Sequence, residues 1–415
     1  MFPPPLRERG RGTMVQSAEL PQFTLMERDR RWTRVREAMA RDGIELLIAP
    51  PHSGRWGQEQ ADMRYLSECG INMYECLVVF PLAGDVVVLT RLDGHAGWLR
   101  DAYDWVKDVR PIGGRPWSDL IVARMAELGY GQNSQARIGV IGYSGSADGP
   151  EGIMRYDTMA SLIEAFPHVE WTSATELVNH VRAVKSAEEI AFLERAGAIA
   201  DKAVGAMIEH ARPGMPAQTL WAHMHAAMLL AGGEYPNMIN WDMRPDTGFW
   251  PRYPTNRLIQ KDDYCINEID AKFNGYIHQT NHPLYMGKAP ENYRHAFDGV
   301  LRAFEAARQA AKPGNSVGDM ARAAQSVFTK HGVDGHFMLH GRGLGDDLPA
   351  LCQGTPADDR VLLEEGTAFI LKPWAADTGA SGYRFRMAVG DTCVVTAAGA
   401  RRLSAHPMEL TQIEC

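Results

Sequence analysis

Glu268 and Asp270, His278 and His282, His340 and Arg342, then Lys372 and Arg386 fill the second half of the chain with groups that could hold or move a proton. Residues two apart on a strand share a face, so Glu268 and Asp270 can bring two carboxylates into one site. Close carboxylates push one pKa upward, while a nearby Lys372 or Arg342 pulls the other down. Acid/base chemistry near neutral pH needs that separation. The same residues fit a plainer reading, in which Glu268 and Asp270 only neutralise Arg342 and Lys372 in a buried ion network. His278 and His282, four apart, would suit zinc on a helix, but their segment reads as a strand entering a loop. With no third ligand of suitable type near them, the expectation is one general acid or base and no metal. Asp346 and Asp347 read by default as a solvated loop.

Such groups need rigid elements to carry them. Glu27 to Arg41 places Trp32, Val35 and Met39 at helical spacing, and Asp42-Gly43 ends that helix before the apolar strand Ile44 to Ala49. Cys76 to Phe80, a turn at Pro81 to Asp85, and Val86 to Thr90 read as a hairpin. A strand at Arg137 to Ile141 alternates with helices at Trp117 to Leu128 and Tyr156 to Phe166, so the first domain is α/β. From Val178 to Met207 the pattern becomes one long Ala-rich helix, which puts the domain boundary at 178/179. Beyond it, Ala211-Arg212-Pro213-Gly214-Met215 recurs as Ala311-Lys312-Pro313-Gly314-Asn315, each before a helix, as a weak internal repeat.

The 415 residues suit two domains, and 45% hydrophobic with 23% charged residues is the balance of a soluble globular protein. A net charge of -8 without a basic block argues against nucleic acid or an anionic membrane as partner. No apolar run approaches the roughly 20 residues that a bilayer demands. Residues 1–20 lack an apolar signal core and read as a disordered tail, with Met14 an alternative start. Six cysteines without C-x-x-C spacing read as reduced thiols of a cytoplasmic protein.

The stretch Pro254-Thr255-Asn256-Arg257-Leu258-Ile259-Gln260, the pair Gly275-Tyr276, the turn Gly341-Arg342-Gly343-Leu344-Gly345 and the segment Phe369-Ile370-Leu371-Lys372-Pro373 resemble the creatinase / aminopeptidase P / methionine aminopeptidase superfamily. The run Val181 to Ile190 looks like the entry helix of its catalytic domain. The resemblance implies an α/β N-terminal domain over residues 21–178 and an α+β pita-bread catalytic domain over 179–415, with the site between duplicated halves. It also implies a homodimer. The metal-binding positions of the superfamily's peptidases fall on Glu268, Gln279, Arg342, Lys372 and Gly390. The acid/base His of creatinase falls on Arg252 and its catalytic Glu on Asn281. Four of the five ligand positions have lost metal-binding chemistry, and no cofactor is expected.

A fixed cation can do part of a metal's electrostatic work on an anionic substrate. The expected activity is therefore metal-independent cleavage of a C–N or C–C bond in a small anionic, aromatic molecule, by a creatinase-like hydrolase or a formaldehyde-releasing retro-aldol lyase. Glu268, Asp270, His278, His282, His340 and Lys372 are the catalytic candidates. Arg252, Arg342, Arg386 and Gln279 would bind substrate, and Trp241, Trp250 and Trp374, in stretches that border the superfamily's pocket, would wall it. The rival readings are an inactive binding module and a metallopeptidase with a rebuilt site.

Overall fold

The structure, a computed structural model, describes residues 21–51, 60–70, 75–145, 151–235, 238–245, 247, 254–351, 359–378 and 384–415. The expected tail, Arg252 and Trp250 lie outside those residues.

The first layer forms where the apolar strands meet their helices. Leu46–Ala49 is buried at all four positions, as a strand covered on both faces must be. It pairs antiparallel with Cys76–Pro81 and parallel with Arg137–Val140, inside a six-stranded sheet. The expected hairpin is present, with Val79 opposite Val87 and Cys76 opposite Thr90. Leu25–Arg41 covers the sheet, started by the Thr24 side chain, which accepts from the Glu27 N–H.

The expected single helix from Val178 to Met207 is two helices, Thr175–Ala183 and Ala187–His210. Ser186 causes the break. Its hydroxyl accepts from Glu189 N–H while the Glu189 side chain accepts from Ser186 N–H, a reciprocal cap that starts a new helix. Val184, just before it, is extended and bridges to Thr367. The boundary expected at 178/179 thus falls inside a helix, and the chain changes layers at 184–186.

The Pro-Gly repeat marks a real duplication. Ala187–His210 is followed by Ala217–Leu230, and Glu291–Ala310 by Val317–His331. Gly214 and Gly314 turn the two links at φ +84° and +85°, a region closed to most side chains. Each donates its N–H to an equivalent strap, at Ile259 O and Leu363 O. Both helix pairs cover one face of a ten-stranded sheet, their apolar residues packing on its strands. Within the sheet, Tyr264–Phe273 and Tyr276–Asn281 form a hairpin turned by Asn274 and Gly275, both at positive φ. A three-stranded sheet of Asp334–His336, Trp374–Thr378 and Arg384–Ala388 meets the other face, where Tyr264 touches Phe385 and Met387.

Ser186→Ala removes the reciprocal cap, and chemical denaturation should show a loss of about 1 kcal/mol with the fold retained.

Candidate active site

Strand parity gathers the site. Glu268 and Asp270 point to the face away from the helices, Gln279 lies in register opposite Asp270, and Asn240 of Met238–Arg244 lies opposite Glu268. On the neighbouring half of the sheet, His340 and Arg342 share a face of Leu339–Arg342, and Lys372 follows Ala368–Leu371.

Two linked ion clusters result. The Lys372 Nζ lies 2.9 Å from Glu268 Oε1 and 3.0 Å from His340 Nε2, while Asn240 Nδ2 donates to Glu268 Oε2 at 2.9 Å. Arg342 donates to Asp346 Oδ1 at 2.7 Å, to Asp270 Oδ2 at 3.1 Å and to the Gln279 side-chain oxygen. His340 Nδ1 is 3.2 Å from Asp346 Oδ1, outside hydrogen-bond geometry, and joins the two. Because a Lys372 proton points at Nε2, the neutral His340 ring keeps its lone pair there and its proton on Nδ1. The open edge is formed by Glu268, His340 and Lys372, whose side chains are 17%, 11% and 8% exposed; Arg342 and Asp270 lie deeper at 2% and 3%.

Environment separates the titrating groups. Burial would raise Glu268, but Lys372, the Asn240 amide and His340 outweigh it and hold the carboxyl down at about 2. Burial pushes Asp270 up to about 6, with Glu268 and Asp346 adding repulsion against the pull of Arg342. Burial, then Lys372 and Arg342, lower His340 to about 4, so it is neutral at pH 7. Asp346, despite burial, is held well below the usual carboxylate range by His340 and Arg342. The expected split between Glu268 and Asp270 is present, with Asp270 the member nearest neutrality.

Several expectations fail on parity and packing. His278 and His282 point to the opposite, helix-covered face. His278 Nε2 is 3.3 Å from Asp391 and packs near Gly197 of the Ala187–His210 helix. His282 Nε2 bonds Thr411 at 2.7 Å, and burial beside His406 and Arg402 lowers it to about 3. Neither meets Glu268. Trp241, one residue from Asn240, is 1% exposed in the helix-side core with Met207 and Met224. Trp374 reaches the site side, but as the central strand of its sheet it is flanked by His336, 4.1 Å away, and by the Arg386 guanidinium, 3.8 Å away. Both ring faces are taken, which leaves only an edge for a ligand. Arg386 stays in place near Glu268, its pKa lowered by burial to about 10. Arg384 is exposed and paired to Asp334.

Asp346 and Asp347 are no solvated loop. They start the strand Asp346–Leu351, and successive side chains take opposite directions, Asp346 to Arg342 and Asp347 to Arg182 and Lys185. Asn240 was missed altogether; its place opposite Glu268 follows only from strand register.

A mixed α/β sheet domain followed by a duplicated helix-pair domain with an ionised site on the open face of its sheet defines the two-domain pita-bread class. The chain belongs to the creatinase / aminopeptidase P / prolidase superfamily: residues 31–184 match the Creatinase/Prolidase N-terminal domain and residues 191–397 match Metallopeptidase family M24. It is 27% identical to a Xaa-Pro dipeptidase of Pyrococcus furiosus over 63% of this chain and 74% of that protein. A creatinase of a Bacillus species is 24% identical over 93% of this chain and 92% of its own length. An ectoine hydrolase of Halomonas elongata is 25% identical over 60% of this chain and 65% of its own length. The solved prolidase of Pyrococcus horikoshii superposes with a TM-score of 0.73 at 18% identity, covering 92% of this chain and 99% of that one.

The family description implies a divalent metal, and the residues present do not fit one. Arg342 and Lys372 put two fixed positive charges among the carboxylates, and each carboxylate is already bonded to one of them. Gly390 offers no donor, and a Cβ there would lie 2.4 Å from Asn281 Oδ1, so Asn281 fills the space a side chain at 390 would use. Among the described residues no group of three His, Cys, Asp or Glu is arranged to hold a metal ion.

Lys372→Met strips Glu268 of its cation and should cost about 3 kcal/mol in chemical denaturation. Adding Glu268→Gln should recover most of that loss, since the double variant leaves no unpaired charge.

Proposed function

We propose that this chain is a metal-independent, creatinase-like hydrolase that cleaves a C–N bond of a small polar molecule. The observation that carries the reading is the arrangement of Lys372 at the open edge, between Glu268 and His340, over a deeper carboxyl, Asp270, whose pKa burial pushes up to about 6. Relatives named creatinase and ectoine hydrolase support small-molecule hydrolysis, beside others named Xaa-Pro dipeptidase; the lost metal-ligand chemistry at Arg342, Lys372 and Gly390 is what favours it over peptide cleavage.

In this reading Lys372 faces the oxygen or nitrogen doubly bonded to the carbon under attack and stabilises the negative charge that develops on that atom as water adds, the work a metal does elsewhere. Glu268, ionised at all physiological pH, holds Lys372 in place through the 2.9 Å bond to its Nζ. Asp270 Oδ1 carries no hydrogen bond and accepts the proton of the attacking water, which then passes to the departing nitrogen. Arg342 is occupied by Asp270, Asp346 and Gln279, so it tunes the base rather than gripping substrate. A substrate carboxylate finds its cation in Arg386 at the Trp374 edge. Among the described residues neither expected tryptophan wall offers a ring face to an aromatic substrate, because Trp241 is core and Trp374 is already sandwiched.

The test is turnover of a panel of small amidino, lactam and hydroxymethyl-aryl acids by chelator-treated protein, with elemental analysis of the untreated sample. Amine release that survives chelation is expected; aldehyde release would reassign the site to retro-aldol cleavage, and activity that follows bound metal would sink the proposal. Since Asp270 acts ionised and its pKa is raised, kcat should climb as pH passes through about 6 and level above it. Asp270→Asn should lower kcat by about 100-fold or more and abolish that limb, as measured in a pH–rate profile.

A further inference from the structure

Arg182 and Lys185 lie on the link between the two sheets, outside the catalytic cluster, and both end on one carboxylate. Arg182 bridges Asp62 of the N-terminal layer and Asp347 of the catalytic sheet, and Lys185 Nζ lies 2.6 Å from Asp347 Oδ2. All four side chains are at most 5% exposed. An ion cluster so completely removed from water is a poor source of stability, since apolar residues would fill the same space at less desolvation cost. Its placement gives it another role.

Asp347 sits beneath the turn that carries the site. It lies opposite Gly341, where the strand register shifts between His340 and Gly341. A Cβ on Gly341 would be 2.3 Å from the Asp347 carbonyl oxygen, and a Cβ on Gly343 would be 2.4 Å from Asp347 Oδ2 and 2.7 Å from Lys185 Cε. Asp347 and Lys185 therefore pack on the glycines that flank Arg342, while the Arg342 side chain leaves on the other side toward Asp270 and Asp346. Asp346, the preceding residue, meets His340 and Arg342.

We propose that Arg182 and Lys185 are positioning residues of the active site: through Asp347 they seat the Gly341-Arg342-Gly343 turn and so set how Arg342, Asp346 and His340 meet. Because Arg182 also holds Asp62, docking of the N-terminal layer is transmitted to the cluster. The inference rests on this cluster being the working site, and not on which bond it cleaves.

The test follows His340 by NMR titration of the full-length, histidine-labelled chain, which needs no substrate and so stands apart from the reaction assigned above. Lys372, Asp346, Arg342 and, across Lys372, Glu268 are the charged groups that face His340. In Lys185→Met/Asp347→Asn, which removes one charge of each sign, a loosened turn admits water and draws the cations away. The His340 pKa should then rise from about 4 by about one unit or more. Lys185→Arg should keep the parent value. A double variant that stays folded, loses thermal stability and leaves the His340 titration unmoved would overturn the proposal, because a simple structural staple predicts that result. If the double variant does not fold, Asp62→Asn, which leaves the Lys185–Asp347 contact in place, should give a smaller upward shift. No shift there overturns the proposal equally.

Discussion

A guanidinium sealed inside a sheet must be surrounded by acceptors, and Arg342, 2% exposed, sets that condition for everything near it. Removing one partner of such a buried ion leaves several kcal/mol uncompensated. Asp270, Gln279 and Asp346 therefore have to arrive on the right faces of three different strands. A shift of one residue along the 264–281 hairpin would turn Asp270 to the helices and bring His278 to the site, since parity alone separates them. The demand for register is thus electrostatic as well as hydrophobic. The raised pKa of Asp270 and the lowered one of His340 follow from the same enclosure.

The N-terminal layer takes part in meeting that demand. Arg64 reaches across to Glu234 and Asn274, beside the turn of the site hairpin. Arg31 donates to the Tyr276 hydroxyl, which donates in turn to Glu189, the residue that closes the cap on Ser186. One short run of sequence, 182 to 189, thereby ends one helix, starts the next, grips the hairpin and supports the Arg342 turn. Gripped by buried arginines of the first layer, the two site-bearing halves of the sheet are tied to a common body.

Legibility followed the range of the interactions. Local signals were readable: the Pro-Gly links, the apolar strand Leu46–Ala49, the hairpin after Cys76, and the pairing of Glu268 with Asp270 at period two. The break at Ser186 was local as well, carried by the Ser-x-x-Glu spacing that a long Ala-rich pattern obscured. His278, His282 and Trp241 were misplaced for another reason. Each lies within a few residues of a true site group, but one face of a strand and the next differ by a single position, and only the helices packed on one side tell them apart. Trp374 is in the right region, and its two flanking partners come from strands 38 residues before it and 12 after it, a sandwich that no local window contains.

Residue types determined, with no structure in view, that Arg and Lys stand where carboxylate and imidazole would be needed for a metal, and that a carboxylate pair lies on one strand face. Those facts depend on side-chain chemistry and on the two-residue period of a strand. Tertiary structure decided which cation each carboxylate met, and so which carboxyl became strongly acidic and which was left near neutrality. It also decided that Asp346 meets His340 and Arg342 while Asp347 turns to Arg182 and Lys185. Charge partners, burial and facing direction are properties of strands brought together from distant parts of the chain, and pKa depends on all three.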